Sequence, residues 1–472
     1  MLQACSRSLM AGTVLVLSAC ATQTPPPAMP AERQLARWIE TFNTGERDGW
    51  QEFIAEHFPE APDRTVDQNL ALRQQTGGFE LVTIEESTPT RAVALLREGD
   101  AEATAARVIL DVESSEPHRI VAMALEPGVR LPVSIARLSA AALVTALQSE
   151  LEARVADDRF SGAVLVAQGG DRLFAGAYGL ADRERGVANT LDTRFRNGSM
   201  NKMFTAAAVL TLAQAGRIAL DAPLAKYLPE YPNEKLASAV TVHHLLTHTG
   251  GTGDVFGPEF VARRLALRTH QDYIDLYGSR DLLFDPGSQW MYSNYGFILL
   301  GALIERVSGQ SYYDYVREHV YEPAGMTSTG SEPEEATAAN RAIGYMRGPA
   351  GLQPNTGTLP YRGTAAGGGY TTVQDLQRFA NALMNRELLN DSYTDLLTTG
   401  KVEAPGGRYA YGFFDRVVNG VRTIGHGGNA PGMDGDLVIL ADSDYLVAVL
   451  ANRDAPAAQR ISEFIAIRLP ER

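Results

Sequence analysis

The sequence predicts an α/β protein of the α+β kind: an antiparallel sheet flanked by helices, a helical lobe, and a small α+β domain in front of both. Three observations indicate this arrangement. Strand-like stretches concentrate at the two ends of the segment 137–472. The middle of that segment is rich in helical and loop patterns. A break at 127–132 separates it from an earlier group of short helices and strands.

The elements of the larger segment follow from these patterns. The predicted strands are 163–168, 173–178, 409–418, 421–424, 437–440 and 445–450, and the predicted helices are 140–156 and 457–469. The first two strands form a hairpin around Gly169 and Gly170. The two ends of the segment therefore build one antiparallel sheet, and we expect a pocket between the sheet edge and the helical lobe.

A serine and a lysine stand three residues apart at the start of a predicted helix. Lys202 is one of four lysines in the chain, and the run 200–215 is apolar or small, with Gly216 behind it. Residues three apart share a helix face, so the Lys202 amine can reach the Ser199 hydroxyl. Burial favours the neutral amine, which can accept the serine proton. The alternative is that Ser199 only caps the helix while Lys202 extends to solvent.

Two later motifs favour the catalytic reading. Tyr292-Ser293-Asn294 precedes an apolar run, which places a phenol on the loop that enters another helix. His426-Gly427-Gly428 follows a strand-like stretch, and its glycines allow a substrate backbone to approach a strand edge closely. Taken alone, the first motif is ordinary packing and the second is a hairpin turn with a surface histidine.

The three motifs together carry a family resemblance. With the flanking stretches 160–166, 242–250 and 367–375, the chain from about 143 to 467 resembles the serine β-lactamase-related hydrolases. This group includes class C β-lactamases, D-alanyl-D-alanine carboxypeptidases, D-aminopeptidases and family VIII esterases. The resemblance implies a β-lactamase/transpeptidase-like domain over 137–472, an acyl-enzyme mechanism and no cofactor.

The resemblance also implies a role for each matching residue. In chain order these are Ser199 as nucleophile, Lys202 as its base partner, Tyr292 as second base or leaving-group acid, Asn294, His426, Gly427 and Gly428 as substrate-binding residues, and the backbone N–H groups of Ser199 and Asn429 as the oxyanion hole.

The third motif departs from the Lys-Thr-Gly of β-lactamases and most penicillin-binding proteins. His426-Gly427-Gly428 lacks the permanent cation and the hydroxyl that grip a substrate carboxylate. We therefore expect a carboxylester or a D-amino-acid amide or peptide as substrate, with a β-lactam or a D,D-peptide as the alternative. The histidine is also expected to make substrate capture depend on pH near neutrality. A non-catalytic lipoprotein that binds peptidoglycan or a protein partner through the same cleft is the rival class.

The segment 32–130 is predicted to be a small α+β domain of unknown role. Aromatic and aliphatic residues between 38 and 54 indicate two short amphipathic helices. Strands are expected at 79–84, 92–96, 105–112 and 119–125. Helices followed by a meander resemble nuclear-transport-factor-2-like folds, and no catalytic constellation is present there.

The first thirty residues have the pattern of an exported lipoprotein. Residues 1–19 resemble a signal peptide, and Leu17-Ser18-Ala19-Cys20 resembles a lipobox, so lipidation is expected at Cys20. The alternative is an ordinary signal peptide with an incidental cysteine. Residues 20–31 read as a proline-rich tether. The expected location is the bacterial cell envelope, lipid-anchored, on the outer membrane or the periplasmic side if the cell is Gram-negative. Ala21 rather than Asp follows the cysteine, which by resemblance to enterobacterial sorting allows the outer membrane.

Charge and the remaining motifs exclude other functions. The formal net charge of −14 argues against nucleic acid as a partner. His244 and His248 are four residues apart, but no glutamate occupies the metalloprotease position between them, so no metal is expected. The run 367–369 lacks the following Gly-Lys-Ser/Thr of a phosphate-binding loop.

Overall fold

The computed structural model describes residues 29–61, 65–99, 101–102, 104–131, 135–336, 339–348 and 351–470. The predicted signal peptide, Cys20 and nearly all of the proline-rich tether lie outside the described residues. Among the helices of the described part, none combines the length and the apolar character needed to cross a bilayer.

Residues 29–131, which we call the N-terminal module, fold around their own core. Its elements are α1 (Pro30–Thr44), α2 (Arg47–His57), α3 (Thr65–Thr76), β1 (Phe79–Ser87), β2 (Arg91–Glu98), β3 (Thr104–Val112) and β4 (Ile120–Arg130). The strands form an antiparallel meander in the order β1-β2-β3-β4. Trp38, Phe42, Trp50 and Phe79 pack ring against ring between the helices and the sheet. The helix over 65–76 was not predicted, because its sequence carries no continuous apolar stripe.

Residues 135–470, the C-terminal module, begin with helix, hairpin and short strand pairs. These are α4 (Ala140–Ala156), β5 (Gly162–Gln168), β6 (Asp171–Tyr178), β7 (Leu180–Asp182), β8 (Val187–Ala188) and β9 (Phe195–Arg196). The helical lobe follows with α5 (Asn201–Gln214), α6 (Glu234–Ala239), α7 (Val242–Leu246), α8 (Pro258–Arg263), α9 (His270–Tyr277), α10 (Asn294–Ser308), α11 (Tyr312–Val316) and α12 (Glu322–Ala324).

The chain then returns to the sheet. The remaining elements are β10 (Tyr345–Gly348), β11 (Gly351–Pro354), β12 (Tyr370–Thr371), α13 (Val373–Met384), α14 (Asp391–Thr398), β13 (Val402–Ala404), β14 (Gly407–Tyr409), β15 (Phe414–Val418), β16 (Val421–Ala430), β17 (Met433–Leu440), β18 (Tyr445–Ala451) and α15 (Ala457–Ala466). The main sheet has the order β13-β14-β15-β16-β17-β18-β5-β6, and every neighbouring pair is antiparallel. The prediction that the two ends of the segment 137–472 build one antiparallel sheet is therefore confirmed.

Strands β5 and β18 are buried on both faces, which explains their continuous apolar sequence. In β18, Ala448 and Leu450 pack in the cluster shared with α5 and α13, whereas Val447 and Val449 pack in the cluster shared with α4 and α15. A strand covered by helices on both sides has no solvent face, so the polar alternation of a half-exposed strand is absent.

The structure corrects three boundaries. The predicted strand 409–418 is interrupted between β14 and β15, where Gly412 has φ 73° and its position meets the backbone of Lys202. The predicted strand 421–424 continues to Ala430, so the His-Gly-Gly motif lies within a strand and not in a hairpin turn. The last helix ends at Ala466, earlier than expected.

The register of β16 leaves half of that strand without a neighbour on one side. Its pairing with β15 stops at the pair Phe414↔Gly425, whereas its pairing with β17 runs on to Ala430↔Met433. Among the described residues, the side of 426–430 that faces away from β17 is therefore not continued by another strand of this sheet. Residues 198–200 pack against this half of β16.

Candidate active site

Ser199 lies in a tight 3₁₀ turn, Gly198–Met200, that leads directly into α5. Gly198 has φ 49°, a conformation that favours glycine, and a Cβ there would lie 2.9 Å from the carbonyl carbon of Gly428. The turn can therefore approach β16 only because residue 198 has no side chain. Ser199 itself is half-buried and lines the cavity described below.

The amine of Lys202 is completely buried and has three polar neighbours. Its Nζ lies 3.2 Å from Ser199 Oγ, 2.7 Å from Asn294 Oδ1 and 2.5 Å from the carbonyl oxygen of Ala366. The side chain is 0% exposed, and burial lowers the pKa of Lys202 to about 7, against an opposing effect of the Asp254 charge. The alternative in which Lys202 extends to solvent is wrong.

The three neighbours fit a neutral amine. An amide oxygen and a carbonyl oxygen can only accept hydrogen bonds, so they take the two N–H groups of an uncharged –NH₂. The remaining lone pair then faces the hydroxyl of Ser199, which can donate its proton to it. The arrangement therefore has the geometry of a general base beside a nucleophile.

Asp254 orients the amide of Asn294, and the sequence analysis missed it. Asn294 Nδ2 donates to Asp254 Oδ2 at 3.0 Å, and the backbone N–H of Asn294 donates to Asp254 Oδ1 at 3.2 Å. Because the amide nitrogen is held by a carboxylate, the amide oxygen must face Lys202. Asn294 was predicted to bind substrate; in this structure both ends of its amide bond to protein groups. The only signal in the sequence was the position of Asp254 just after the stretch 242–250.

The loop 364–366 supplies the carbonyl that receives Lys202, and it is held from several sides. Asn201 Nδ2 donates to the carbonyl of Thr364 at 2.8 Å, and Thr205 Oγ1 donates to that of Ala365 at 2.7 Å. The backbone N–H of Ala365 donates to Nε2 of buried His270 at 3.2 Å. The glycine run 367–369 drew attention to this loop in the sequence. The acceptor role of the Ala366 carbonyl could not be predicted, because every residue has a main-chain carbonyl.

Tyr292 lies in the loop before α10 and faces the same pair of residues. Its ring centroid is 4.7 Å from Lys202 Nζ, and its hydroxyl lies beside that of Ser199. Burial raises the pKa of Tyr292 above its ordinary value, and the interaction with Ser199 opposes that rise only in part. The phenol therefore keeps its proton at neutral pH.

His248 packs against the back of Tyr292, and both of its ring nitrogens take part in hydrogen bonds. The two ring centroids are 4.3 Å apart. The Nδ1 of His248 accepts the backbone N–H of Ser293 at 3.1 Å, so Nε2 carries the proton and donates to Tyr409 Oη at 3.1 Å. His244 has a different partner, since its Nδ1 accepts the N–H of Thr241 at 3.2 Å.

His426 is buried, which corrects the expectation of a titration near neutral pH. Its side chain packs 5.2 Å from Phe414 by ring centroids, and its Nδ1 donates to the carbonyl of Gly427 at 2.5 Å. Burial, together with the nearby Lys202, lowers the pKa of His426 to about 3. The ring is therefore neutral at physiological pH, with Nε2 as a hydrogen-bond acceptor.

The two glycines of the third motif have different surroundings. A Cβ at Gly428 would lie 2.1 Å from the carbonyl oxygen of Asn197 and 2.9 Å from the nitrogen of Ser199. At Gly427 the nearest atom to an added Cβ would be the side-chain amide nitrogen of Gln459, 3.3 Å away, at the end of a flexible side chain. Gly428 thus permits the contact between the serine turn and β16, and it brings the backbone N–H groups of Ser199 and Asn429 to the same region.

These residues open into a cavity of about 600 Å³. Its lining includes Ser199, Tyr292, Asn294, His426, Gly427 and Asn429, together with Phe256, Trp290, Phe414 and Arg416. The structure thus brings the residues of all three motifs together around one cleft between the sheet edge and the helical lobe. Among the described residues, no group of three or more His, Cys, Asp or Glu side chains has the arrangement of a metal site.

Comparison with known proteins identifies the family of the chain. The family model described as Beta-lactamase matches residues 147–471. The chain belongs to the beta-lactamase family. Esterase EstB from Burkholderia gladioli is 40% identical over 215 residues, covering 42% of this chain and 54% of the esterase.

Solved structures of the beta-lactamase fold agree with the architecture. A penicillin-binding protein from Bacillus halodurans superimposes with a TM-score of 0.63 at 33% identity, over 68% of this chain and 98% of that protein. A D-stereospecific amidohydrolase from Streptomyces sp. gives 0.58 at 30% identity, over 68% and 97%. The predicted β-lactamase/transpeptidase-like fold is confirmed. The beta-lactamase family is one of serine hydrolases, which agrees with the expectation of an enzyme.

We expect Gly428→Ala to abolish ester hydrolysis and Gly427→Ala to be tolerated. The added methyl at 428 would collide with the carbonyl of Asn197 and force the serine turn away from β16. A displacement of this kind costs on the order of 100-fold in kcat/KM or more. The measurement is p-nitrophenyl acetate hydrolysis by both variants, with circular dichroism to verify folding. Equal losses in the two variants would contradict the assigned role of Gly428.

The rate should fall on the acid side of neutrality because Lys202 becomes protonated. With its pKa lowered to about 7, the amine loses its free lone pair as the pH drops below that value. Asp254→Asn removes the negative charge that favours the protonated amine, so the acid limb of the kcat/KM profile should move to lower pH. Asp275→Asn, on the exposed side of α9, is the matched control. An acid limb that stays in place in Asp254→Asn would disprove the electrostatic link.

Proposed function

We propose that this protein hydrolyses a carboxylester or a D-amino-acid amide or peptide through an acyl-enzyme at Ser199. The observation that carries the proposal is the buried amine of Lys202, whose two obligate acceptors leave its lone pair facing Ser199 Oγ. A serine hydroxyl is a weak nucleophile unless a neighbouring base takes its proton, and this geometry supplies the base.

The proposed reaction starts with attack of Ser199 Oγ on the substrate carbonyl while Lys202 accepts the hydroxyl proton. The resulting oxyanion lies against the backbone N–H groups of Ser199 and Asn429, which stabilise the charge as it develops. Tyr292 is protonated at neutral pH and sits beside Ser199, so it donates a proton to the leaving group. Water then attacks the acyl carbonyl and gives a proton to the Tyr292 oxygen, while the bond between the acyl group and Ser199 Oγ breaks and Lys202 returns its proton to Ser199.

The substrate class follows from the third motif. A buried histidine with a pKa near 3 offers no positive charge to a substrate carboxylate. The cavity around Ser199 carries the aromatic side chains of Phe256, Trp290 and Phe414, which suit an apolar acyl or alcohol group. An ester or amide without an obligatory carboxylate therefore fits better than a β-lactam. The likeness to an esterase and to a D-stereospecific amidohydrolase supports this choice.

The test is a covalent label combined with a substrate panel. A fluorophosphonate should add one label per chain, and Ser199→Ala should lose both the label and at least about 10³-fold of kcat/KM. Ser308→Ala, at the far end of α10, is the matched control. Comparing p-nitrophenyl esters, D-amino-acid amides and nitrocefin then ranks the substrates, and fastest turnover of nitrocefin would favour the β-lactamase alternative. No adduct with any acylating reagent would sink the proposal and favour a binding protein.

We also propose that the chain is anchored to the bacterial envelope through a lipid on Cys20 and that 32–130 and 137–472 are separate domains. The lipobox-like sequence supports the anchor. The separate clusters of buried residues in the two modules support the domain division. Cys20→Ser should move the protein from the membrane pellet to the soluble fraction, with Cys5→Ser as control. Unchanged pelleting of Cys20→Ser would exclude the lipid anchor.

A further inference from the structure

The N-terminal module touches the C-terminal module through Glu98, Glu102 and Thr104, which contact α15 and the residues just after it. Glu98, the last residue of β2, forms an ion pair with Arg460. Thr104 Oγ1, at the first residue of β3, donates to Glu463 Oε1 at 2.6 Å. Glu102 pairs with Arg468 at 2.6 Å. Two of these polar contacts reach α15 itself, and the third reaches Arg468, just beyond the end of that helix.

The covalent connection between the modules is held at the same place. The carbonyl of Ile135 accepts Asn419 Nδ2 at 3.1 Å, and Arg137 donates to the carbonyl of Leu469 at 2.7 Å. The N–H of Leu138 donates to the carbonyl of Arg468 at 2.8 Å. Residues 135–138 therefore pack beside the residues that follow α15, where Arg468 also pairs with Glu102.

This contact lies on the catalytic cleft. Glu98 and Thr104 line the same cavity of about 600 Å³ as Ser199 and Tyr292. Between the two ends, the cavity wall is formed by β16, β17 and α15, which contribute Gly427, Asp436, Gln459, Ser462 and Glu463. One end of the cleft thus holds the reacting serine, and the other end is closed by a different module.

The two ends of the cleft differ in character. Aromatic side chains surround the serine end, whereas the far end is polar and hydrogen-bonded, with Ser462 Oγ donating to Asp436 Oδ2 at 2.5 Å. Arg460 is buried between Glu98 and Glu463, with 6% of its side chain exposed. An alkyl chain that reached this end would displace water from these polar groups and offer no hydrogen bonds in place of those to water. A peptide-like chain has N–H and C=O groups that can replace them.

We propose that Glu98 and Thr104, which flank the connection between β2 and β3, form the distal wall of the substrate site and select extended, peptide-like substrates over short or alkyl ones. The proposal rests on the hydrolase function proposed above and adds its substrate class. The N-terminal module then has a defined role as a specificity element, and Glu98 and Thr104 are positioning residues that never touch the reacting atoms.

The test compares the hydrolysis of esters whose chains increase in length, and the readout is the ratio of the activities on different esters. The acyl side is extended in p-nitrophenyl esters of acetate, N-acetylglycine, N-acetyldiglycine and N-acetyltriglycine, and the leaving side in acetyl esters of hydroxyacetyl glycine, diglycine and triglycine amides. The p-nitrophenyl esters of pentanoate, octanoate and undecanoate provide alkyl chains that match the three acylated glycine esters in length. The wild-type protein should prefer peptide-like to alkyl chains at the longer lengths on at least one side.

Thr104→Val removes a hydroxyl and Glu98→Gln removes a negative charge, and both substitutions keep the shape of the side chain. Each should raise KM for the longest peptide-like ester by about three- to tenfold, as expected for one lost hydrogen bond, and leave kcat and acetate hydrolysis unchanged. Thr104→Ser should restore the wild-type KM. The matched controls are Thr83→Val and Glu80→Gln on exposed β1, which should change nothing.

The outcomes separate the two proposals. The distal-wall proposal would be overturned if both variants kept the wild-type ratio of activity on the longest peptide-like esters to activity on acetate. It would also be overturned if each variant lost equal activity on acetate and on the longest esters. In both cases the hydrolase function stands. If the protein turns over no ester, calorimetric binding of N-acetyltriglycine methyl ester to Ser199→Ala, with and without Thr104→Val, still decides it. Several-fold weaker binding in the double variant supports the wall, and equal or undetectable binding in both excludes it.

Discussion

The buried amine of Lys202, whose pKa burial lowers to about 7, is the constraint on which the rest of this site depends. An ammonium group would find three acceptors here, because the Ser199 hydroxyl can accept as well as donate, so it is the burial of the charge in an apolar helix that disfavours the protonated amine. Burial lowers the pKa to about 7, and the charge of Asp254 keeps it from falling further. The amine is thus balanced close to the point where it can both accept and return a proton.

This balance requires parts of the chain that are remote in sequence to converge. The nucleophile and its base share one turn before α5, but the groups that set the protonation state of the base come from elsewhere. Asn294 starts α10, Asp254 lies in the loop after α7, and the Ala366 carbonyl belongs to a loop held by His270. A change in any of these elements acts on catalysis through the amine, although most of them do not touch the substrate.

The third motif shows how burial changes what a residue can do. A histidine on a surface turn titrates near neutral pH, and this was the expectation for His426. In the folded protein the imidazole lies among Phe414, Tyr292 and Tyr409 and next to Lys202, so protonation would place two positive charges in an apolar pocket. The position that holds a lysine in β-lactamases is therefore occupied by a neutral acceptor, and the electrostatics of the cleft differ accordingly.

The sequence by itself determined the family, the nucleophile and its base, and the antiparallel sheet. These features are local or periodic: Ser199 and Lys202 are three residues apart on one turn, and buried strands such as β18 are continuous apolar runs. Tertiary structure alone decided the end of strand pairing at Gly425, the carboxylate of Asp254 behind Asn294, and the burial that neutralises His426. It also decided the contact of Glu98 and Thr104 with α15. The physical reason is that burial, pairing and protonation are set by neighbours more than forty residues away, and no local pattern records which neighbours will meet.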